Sequence, residues 1–172
     1  QVEGEHYDSH SIASPVANII TIHIILAIIA IVGWYAALVD VRSAFLLGDW
    51  ESDRQIYMEV PKGWSKYYPP GTVLKLLKTV YGAKQSAKRF WIKMLKAMDS
   101  MEFARSQADP CLYHKWHPEH GLILMLSWVD DILIVGSKAG VEYAKAELFK
   151  HFECDDTGEM KEYVGNKVDR KN

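Results

Sequence analysis

Cysteine is nearly missing from this 172-residue sequence: Cys111 and Cys154 stand far apart, with no CxxC pair and no His/Cys ligand spacing. That argues against a disulfide-stapled secreted module and a structural zinc site, and points to a reducing compartment. An excess of one charge is missing too. Twenty Lys plus Arg face 22 Asp plus Glu, a net charge of -2, so no global cationic field announces a nucleic-acid partner and any such partner must be read from local charge. There is no internal repeat and no low-complexity linker. The stretch Gln1 to Asp8 lacks a basic n-region and carries Glu3, Glu5 and Asp8, so it reads as a cut from a longer polypeptide, not a signal peptide. What is present, 49% hydrophobic and 24% charged residues, excludes disorder and fits one globular domain, or at most a domain with a small appendage.

Charge is absent locally as well. From Ser9 to Val39 there is no Asp, Glu, Lys or Arg, and Ile19 to Val39 is almost wholly apolar. A run of that length is enough to cross a bilayer. His23 near its start, its β-branched density and Asp40 without a flanking basic cluster favour a buried helix running into a buried strand. Gly33 is the expected break, with Trp34 to Val41 as the strand.

Beyond Asp40 the pattern alternates. Arg54 to Glu59 and Val73 to Lys78 read as short strands around a loop bearing Pro61, Gly63, Pro69, Pro70 and Gly71. Lys84 to Met101 places Ala87, Phe90, Trp91, Met94, Leu95, Met98 and Met101 at three- and four-residue spacing, which predicts a helix with one buried face. Cys111 to Trp116 and Leu122 to Trp128 flank a hairpin signature, Ile132 to Val135 is another strand, Val141 to Phe152 a helix, and Tyr163 to Val168 a last strand. The expected class is α+β, one antiparallel sheet backed by helices.

Two acidic features carry possible chemistry. Asp130 and Asp131 fall at a tight turn between two very apolar strands, where neighbouring carboxylates raise one another's proton affinity unless a cation sits between them. A plain Asp-rich turn is the competing reading, because Asp favours turns through local hydrogen bonds. Asp40 ends its own strand. Three aspartates at strand ends suit a hard divalent cation such as magnesium, which takes a few carboxylate oxygens plus water and substrate phosphates. Local charge supplies the partner: Lys62, Lys66, Lys75, Lys78, Lys84, Lys88, Arg89, Lys93 and Lys96 fall in a stretch without one acid, interleaved with Trp64, Tyr67, Tyr68, Tyr81, Phe90 and Trp91. Such a block suits phosphate contacts and base stacking. A solvated helix face with core aromatics explains Phe90 and Trp91 and leaves the missing acids unexplained. Eight acids gather between Glu142 and Asp169, so the molecule is polarised.

These residues also resemble a family. Asp40-Val41-Arg42-Ser43-Ala44-Phe45-Leu46-Leu47-Gly48-Asp49, Ile56-Tyr57-Met58-Glu59 and Pro61-Lys62-Gly63-Trp64 are similar to a run in reverse transcriptases of Ty1/copia-type retrotransposons. Val80-Tyr81-Gly82-Ala83-Lys84-Gln85-Ser86-Ala87-Lys88-Arg89-Phe90-Trp91 resembles the block that follows, and Trp128-Val129-Asp130-Asp131 stands where the family has Tyr-Val-Asp-Asp. Asp156-Thr157-Gly158-Glu159 with Tyr163-Val164-Gly165 resembles the last block. Together the ordered blocks cover nearly the whole chain.

The resemblance implies a right-hand polymerase, with residues 1–172 forming the palm and part of the fingers, and thumb and RNase H regions lying outside. It implies RNA- and DNA-directed DNA synthesis, with Asp40 and Asp130 as principal ligands of two magnesium ions, manganese substituting, and Asp131 completing the carboxylates. Phe45 would crowd the sugar 2′-carbon. Gly82 and Gln85 would lie against the incoming nucleotide and template, and Lys84, Lys88 and Arg89 would face phosphate. Implied partners are an RNA or DNA template with primer, deoxynucleoside triphosphates, and neighbouring integrase and RNase H regions of a Pol polyprotein, in the cytoplasm within a virus-like particle. Trp128 for Tyr and Ser86-Ala87-Lys88 for Ala-Pro-Arg depart from the pattern. The rival reading is a non-catalytic retroelement-derived interaction or structural subunit, and a weaker one is membrane association through residues 19–39.

Overall fold

The structure, a computed structural model, describes residues 12–50 and 55–167. The expectations for Gln1 to Asp8, for Arg54 as a strand start and for Val168 as a strand end lie outside them. In chain order the elements are α1 (Ile19–Val32), β1 (Tyr35–Val41), β2 (Tyr57–Glu59), β3 (Val73–Lys75), α2 (Ser86–Ser100), β4 (Ala104–Arg105), β5 (Leu112–His117), β6 (Gly121–Trp128), β7 (Asp131–Gly136), α3 (Lys138–Phe149), β8 (Cys154–Glu159), β9 (Glu162–Tyr163) and β10 (Asn166–Lys167), with single 3-10 turns at Ala44–Leu46 and Ser65–Tyr67. Two compact units divide them, one carried by Phe45–Lys93 and the other by Pro15–Ala44 with the chain from Met94 onward.

The second unit is built on a six-stranded sheet in the order β4-β5-β6-β7-β1-β8. Every neighbouring pair is antiparallel. Side chains alternate between faces along a strand, so Ala36 and Leu38 of β1, Leu124 and Leu126 of β6, and Leu133 and Val135 of β7 share one face, where α1 packs through Ile22, Ile25 and Ile29. On the other face α3 approaches closely: a Cβ on Gly140 would stand 3.1 Å from Cγ1 of Ile123. Ile132, Leu133, Ile134 and Val135 are at most 1% exposed. Covered on both sides, β7 reads as an unbroken apolar run.

The helix α1 starts where the Asn18 side chain accepts from Ile20 N at 2.9 Å and stops at Gly33, whose N–H donates to Ile29 O at 3.0 Å. Its 14 residues rise about 21 Å, less than the roughly 30 Å of bilayer hydrocarbon. Among the described residues no helix is long and apolar enough to cross a membrane. The buried helix expected here is buried along one face only, with Ile20, Ile24 and Ile31 open to solvent.

In the first unit β2 and β3 form a two-stranded ribbon in which Tyr57 pairs with Lys75, Met58 with Leu74 and Glu59 with Val73. Both are shorter than the sequence predicts. The expected helix is present as α2, with Phe90, Met94, Ala97 and Met98 buried at three- and four-residue spacing. Two strands escape the sequence reading, β4 and β8, and the strand expected at Tyr163 to Val168 is instead a two-stranded ribbon, β9 with β10. The segment Cys154–Glu159, acidic and holding a glycine, carries no apolar alternation to announce a strand. Pairing with β1 makes it a strand, and the Thr157 hydroxyl donates to Leu38 O at 2.7 Å beside a break in register at Leu38/Val39. The coarse expectation, an antiparallel sheet backed by helices, is borne out.

Candidate active site

The strand register brings the aspartates to one end of the sheet. Asp40, near the end of β1, is the direct partner of Asp131, the first residue of β7. The hairpin from β6 to β7 closes with Trp128 opposite Asp131, leaving Val129 and Asp130 as the two loop residues. Asp130 is tied down through its carbonyl, which accepts from Val41 N at 3.0 Å. Val129 has φ of 57°, a conformation costly for a β-branched side chain. That strain is held by the ladders on either side.

The electrostatics follow from this crowding. Burial, then Asp130, then Asp155 hold the Asp40 carboxyl above the usual carboxylate range. Asp131 is exposed as a residue, yet desolvation of its carboxyl, then Asp130 and Asp40, raise it in the same direction. Anions placed so close disfavour one another's ionisation. Among the described residues no three His, Cys, Asp or Glu side chains converge closely enough to hold a metal ion, so register gathers these carboxylates without closing them into a cage.

Sequence reasoning missed a fourth acid and its cation. Asp155 of β8 pairs with Asp40 from the other side. Arg42 grips it with both ends of the guanidinium, Nε to Oδ2 at 2.8 Å and Nη2 to Oδ1, while Nη1 donates to Glu153 at 2.8 Å. The Arg42 guanidinium therefore holds the Asp155 carboxyl below the usual range. Deeper in the strand, Asp156 is bound by the buried Lys145 at 3.0 Å. The available signal was the Asp155-Asp156 doublet facing an arginine two residues after Asp40, which shares its face in an extended strand.

The remaining predicted residues form a second group in the other unit. Phe45 is half-buried, its ring edge-on to Tyr81 at 5.1 Å, and its carbonyl accepts from the Thr79 hydroxyl at 2.6 Å. Gly82 lies in a tight turn closed by Ala83 N to Val80 O at 3.1 Å, beside a cleft of about 330 Å³ bordered by Met58, Leu76, Val80 and Tyr81. Lys84 is exposed and Lys88 half-buried. Gln85 is only 4% exposed. Burial lowers the Arg89 guanidinium pKa, and its Cβ is pressed against Gly48. Gln85 and Arg89 are thus wall residues as much as surface ones.

Residues 1–172 match throughout the family model described as reverse transcriptase (RNA-dependent DNA polymerase). The chain belongs to that reverse transcriptase family. It is 36% identical over 165 residues to the retrovirus-related Pol polyprotein from transposon TNT 1-94 of Nicotiana tabacum, covering 95% of this chain and 12% of that relative. The corresponding polyprotein from transposon RE1 of Arabidopsis thaliana is 29% identical over 158 residues, covering 91% of this chain and 11% of the relative. The chain therefore spans about a tenth of the length of the curated relatives it matches. No solved structure matches it. The copia-type resemblance carried by the sequence motifs is borne out.

Proposed function

We propose that this chain is the palm and part of the fingers of a copia-type polymerase that extends a primer 3′-hydroxyl with deoxynucleotides on an RNA or DNA template. The observation that carries this reading is the pairing of Asp40 with Asp131 beside Asp130 on a strained hairpin. The donor set fits magnesium, which binds one or two carboxylates and fills its remaining positions with water and substrate phosphate. Asp40 and Asp130 are the principal ligands in this reading and Asp131 completes the set. Two such cations, when bound, acidify the primer hydroxyl and neutralise the triphosphate and leaving pyrophosphate. The chain's own part is to hold negative charge at fixed points on rigid elements. Val129 locks the loop that aims Asp130, and Arg42 keeps the charge of Asp155 occupied beside Asp40.

In the other unit, the Phe45 ring, set edge-on against Tyr81, is a wall against a ribose 2′-hydroxyl. Gly82 and Gln85 flank the nucleotide at the turn before α2, and Lys84, Lys88 and Arg89 meet phosphate. Template-primer, deoxynucleoside triphosphates and the adjoining integrase and RNase H regions of a Pol polyprotein are the partners, in a cytoplasmic particle. The test is primer extension by a polymerase carrying this segment with Asp130→Asn. Extension should fall by roughly 10²- to 10³-fold or more while template-primer binding persists. Extension at the unsubstituted rate would overturn the reading and favour a non-catalytic retroelement-derived subunit.

A further inference from the structure

The loop between β2 and β3 exposes more aromatic surface than its packing requires. Trp64 is 60% exposed and Tyr67 65%, and their rings stand 5.6 Å apart, tilted by 51°. Lys66 places its ammonium 4.9 Å from the Tyr67 ring centre. Next to them a cleft of about 470 Å³ is walled by Val60, Tyr68, Pro69, Pro70 and Val73, with Glu59 at its lining. The volume falls in the range of small-ligand sites.

The loop is also stiff. Trp64 N donates to Pro61 O at 3.0 Å and Thr72 N to Pro69 O at 3.2 Å, closing a turn on each side of the rings. The third residues of these turns, Gly63 and Gly71, have φ of 91° and 80°, the left-handed value a type II turn demands there. The Thr72 hydroxyl adds a bond to Pro69 O at 2.7 Å, and Tyr67 N donates to Trp64 O at 2.9 Å. Exposed rings on a loop fixed in this way lose little freedom when a flat partner stacks on them.

Charge selects the partner. Nine Lys and Arg and no acid lie between Lys62 and Lys96, and Lys62 and Lys66 stand in the ring-bearing loop. A proline-rich peptide would use the rings and leave the lysines idle. A strand of nucleotides uses both, phosphates on the lysines and bases on the rings. We propose that this loop is a stacking platform for single-stranded RNA or DNA, separate from the carboxylates and serving to hold unpaired nucleotides. Duplex DNA, with its bases already stacked, gains only the phosphate contacts. The site does not depend on the polymerase reading, since neither its rings nor its lysines belong to the proposed catalytic set.

The test is fluorescence anisotropy of a labelled dT12 strand, with its duplex as comparison, titrated with the full chain. Trp64→Ala and Tyr67→Ala should each weaken single-strand binding roughly 5- to 150-fold, with duplex affinity unchanged. Trp64→Phe with Tyr67→Phe keeps both rings and should restore most of the loss. Lys62→Ala with Lys66→Ala should flatten the log-log salt slope by about 1.4. Asp130→Asn should bind the strand as the unsubstituted chain does, so the platform is read separately from catalysis. Single-strand binding within twofold of normal in the Trp64→Ala/Tyr67→Ala chain, with its circular dichroism intact, would overturn the proposal. Equal loss on strand and duplex would overturn it as well, as would a change only in self-association.

Discussion

Gly48→Ala is the sharpest perturbation available in the first unit. A Cβ at Gly48 would stand 2.5 Å from the Thr79 hydroxyl oxygen and 2.7 Å from Arg89 Cβ, with the Arg89 carbonyl carbon at 3.3 Å. Carbon contacts are optimal near 3.5–4.0 Å, so one or both partners must move by the better part of an ångström. Thr79 is fully buried and donates to Phe45 O at 2.6 Å, so rotating its hydroxyl away orphans that carbonyl. Arg89 Cβ belongs to α2 and moves only with the helix. Overpacking costs about 1–3 kcal/mol, and an unsatisfied buried acceptor adds roughly 1–3 kcal/mol. Restricting the unfolded chain by replacing glycine returns only about 0.4–1 kcal/mol. The clash wins, with a net loss of roughly 1–5 kcal/mol, a large part of a domain's usual stability. Amide hydrogen exchange is the assay, read at Thr79, whose N–H donates to Gly48 O at 3.0 Å, alongside urea unfolding followed by tryptophan fluorescence. Unchanged protection at Thr79 and a shift below about 0.5 kcal/mol, the scale of an ordinary surface change, would refute the packing described.

Phe45→Ala should raise ribonucleotide over deoxynucleotide incorporation in primer extension, because a steric barrier is lost with the ring; unchanged sugar selectivity would leave Phe45 as a partner of Tyr81 only. Lys88→Ala with Arg89→Ala should lower the salt slope of duplex binding by about 0.9–1.8, one to two contacts' worth, with the smaller share from Arg89, which is partly withdrawn from solvent; isothermal titrations at several salt concentrations measure it. Burial pushes both thiols up to about 11, so iodoacetamide at pH 8 should label the folded chain far more slowly than the urea-unfolded one, where the thiolate fraction is larger. Folding holds these thiols protonated, so their contribution to stability should fade as pH rises from about 9 toward 11 in a thermal-melt series.

Elements that make their own local case were legible in the sequence. The break at Gly33 and the apolar spacing of α2 announced themselves, and so did the hairpin around His117 to Gly121. The sites of Asp40, Asp130 and Asp131 were legible because each ends a run too apolar to be anything but a buried strand. What escaped depends on partners distant in the chain. Strand β8 exists because β1 offers it an edge, and Thr157 and Asp156 are held by Leu38 O and Lys145. Arg42 reads as a free cation until Asp155 arrives from the opposite strand 113 residues away. Gln85 and Arg89 are polar letters, which sequence reasoning sends outward, whereas the fold draws the first inside and half-covers the second. The loop from Pro61 to Thr72 was legible as a loop, but its stiffness comes from hydrogen bonds that composition does not display.

The Asp130-Asp131 pair allowed two explanations from sequence, a turn that simply favours aspartate or a site that needs carboxylates. The backbone bears on the choice. In a two-residue hairpin loop the position that demands positive φ is where Asn, Asp or Gly is selected for conformational reasons. Here that position is held by Val129, with φ of 57°, the kind of residue least suited to it. Asp130 and Asp131 take no positive φ, and Asp131 already belongs to the ladder opposite Asp40. A left-handed backbone therefore selects neither aspartate, although Asp at the second loop position is itself common in hairpins. Glycine at position 129 would relieve roughly 1–2 kcal/mol of left-handed strain but would add backbone freedom at the residue before Asp130. A valine there, clamped by β6, β7 and the bond from Val41 N, fixes the direction of the next carboxylate at the expense of local stability. That exchange is what the carboxylate-site reading proposed above requires of the loop.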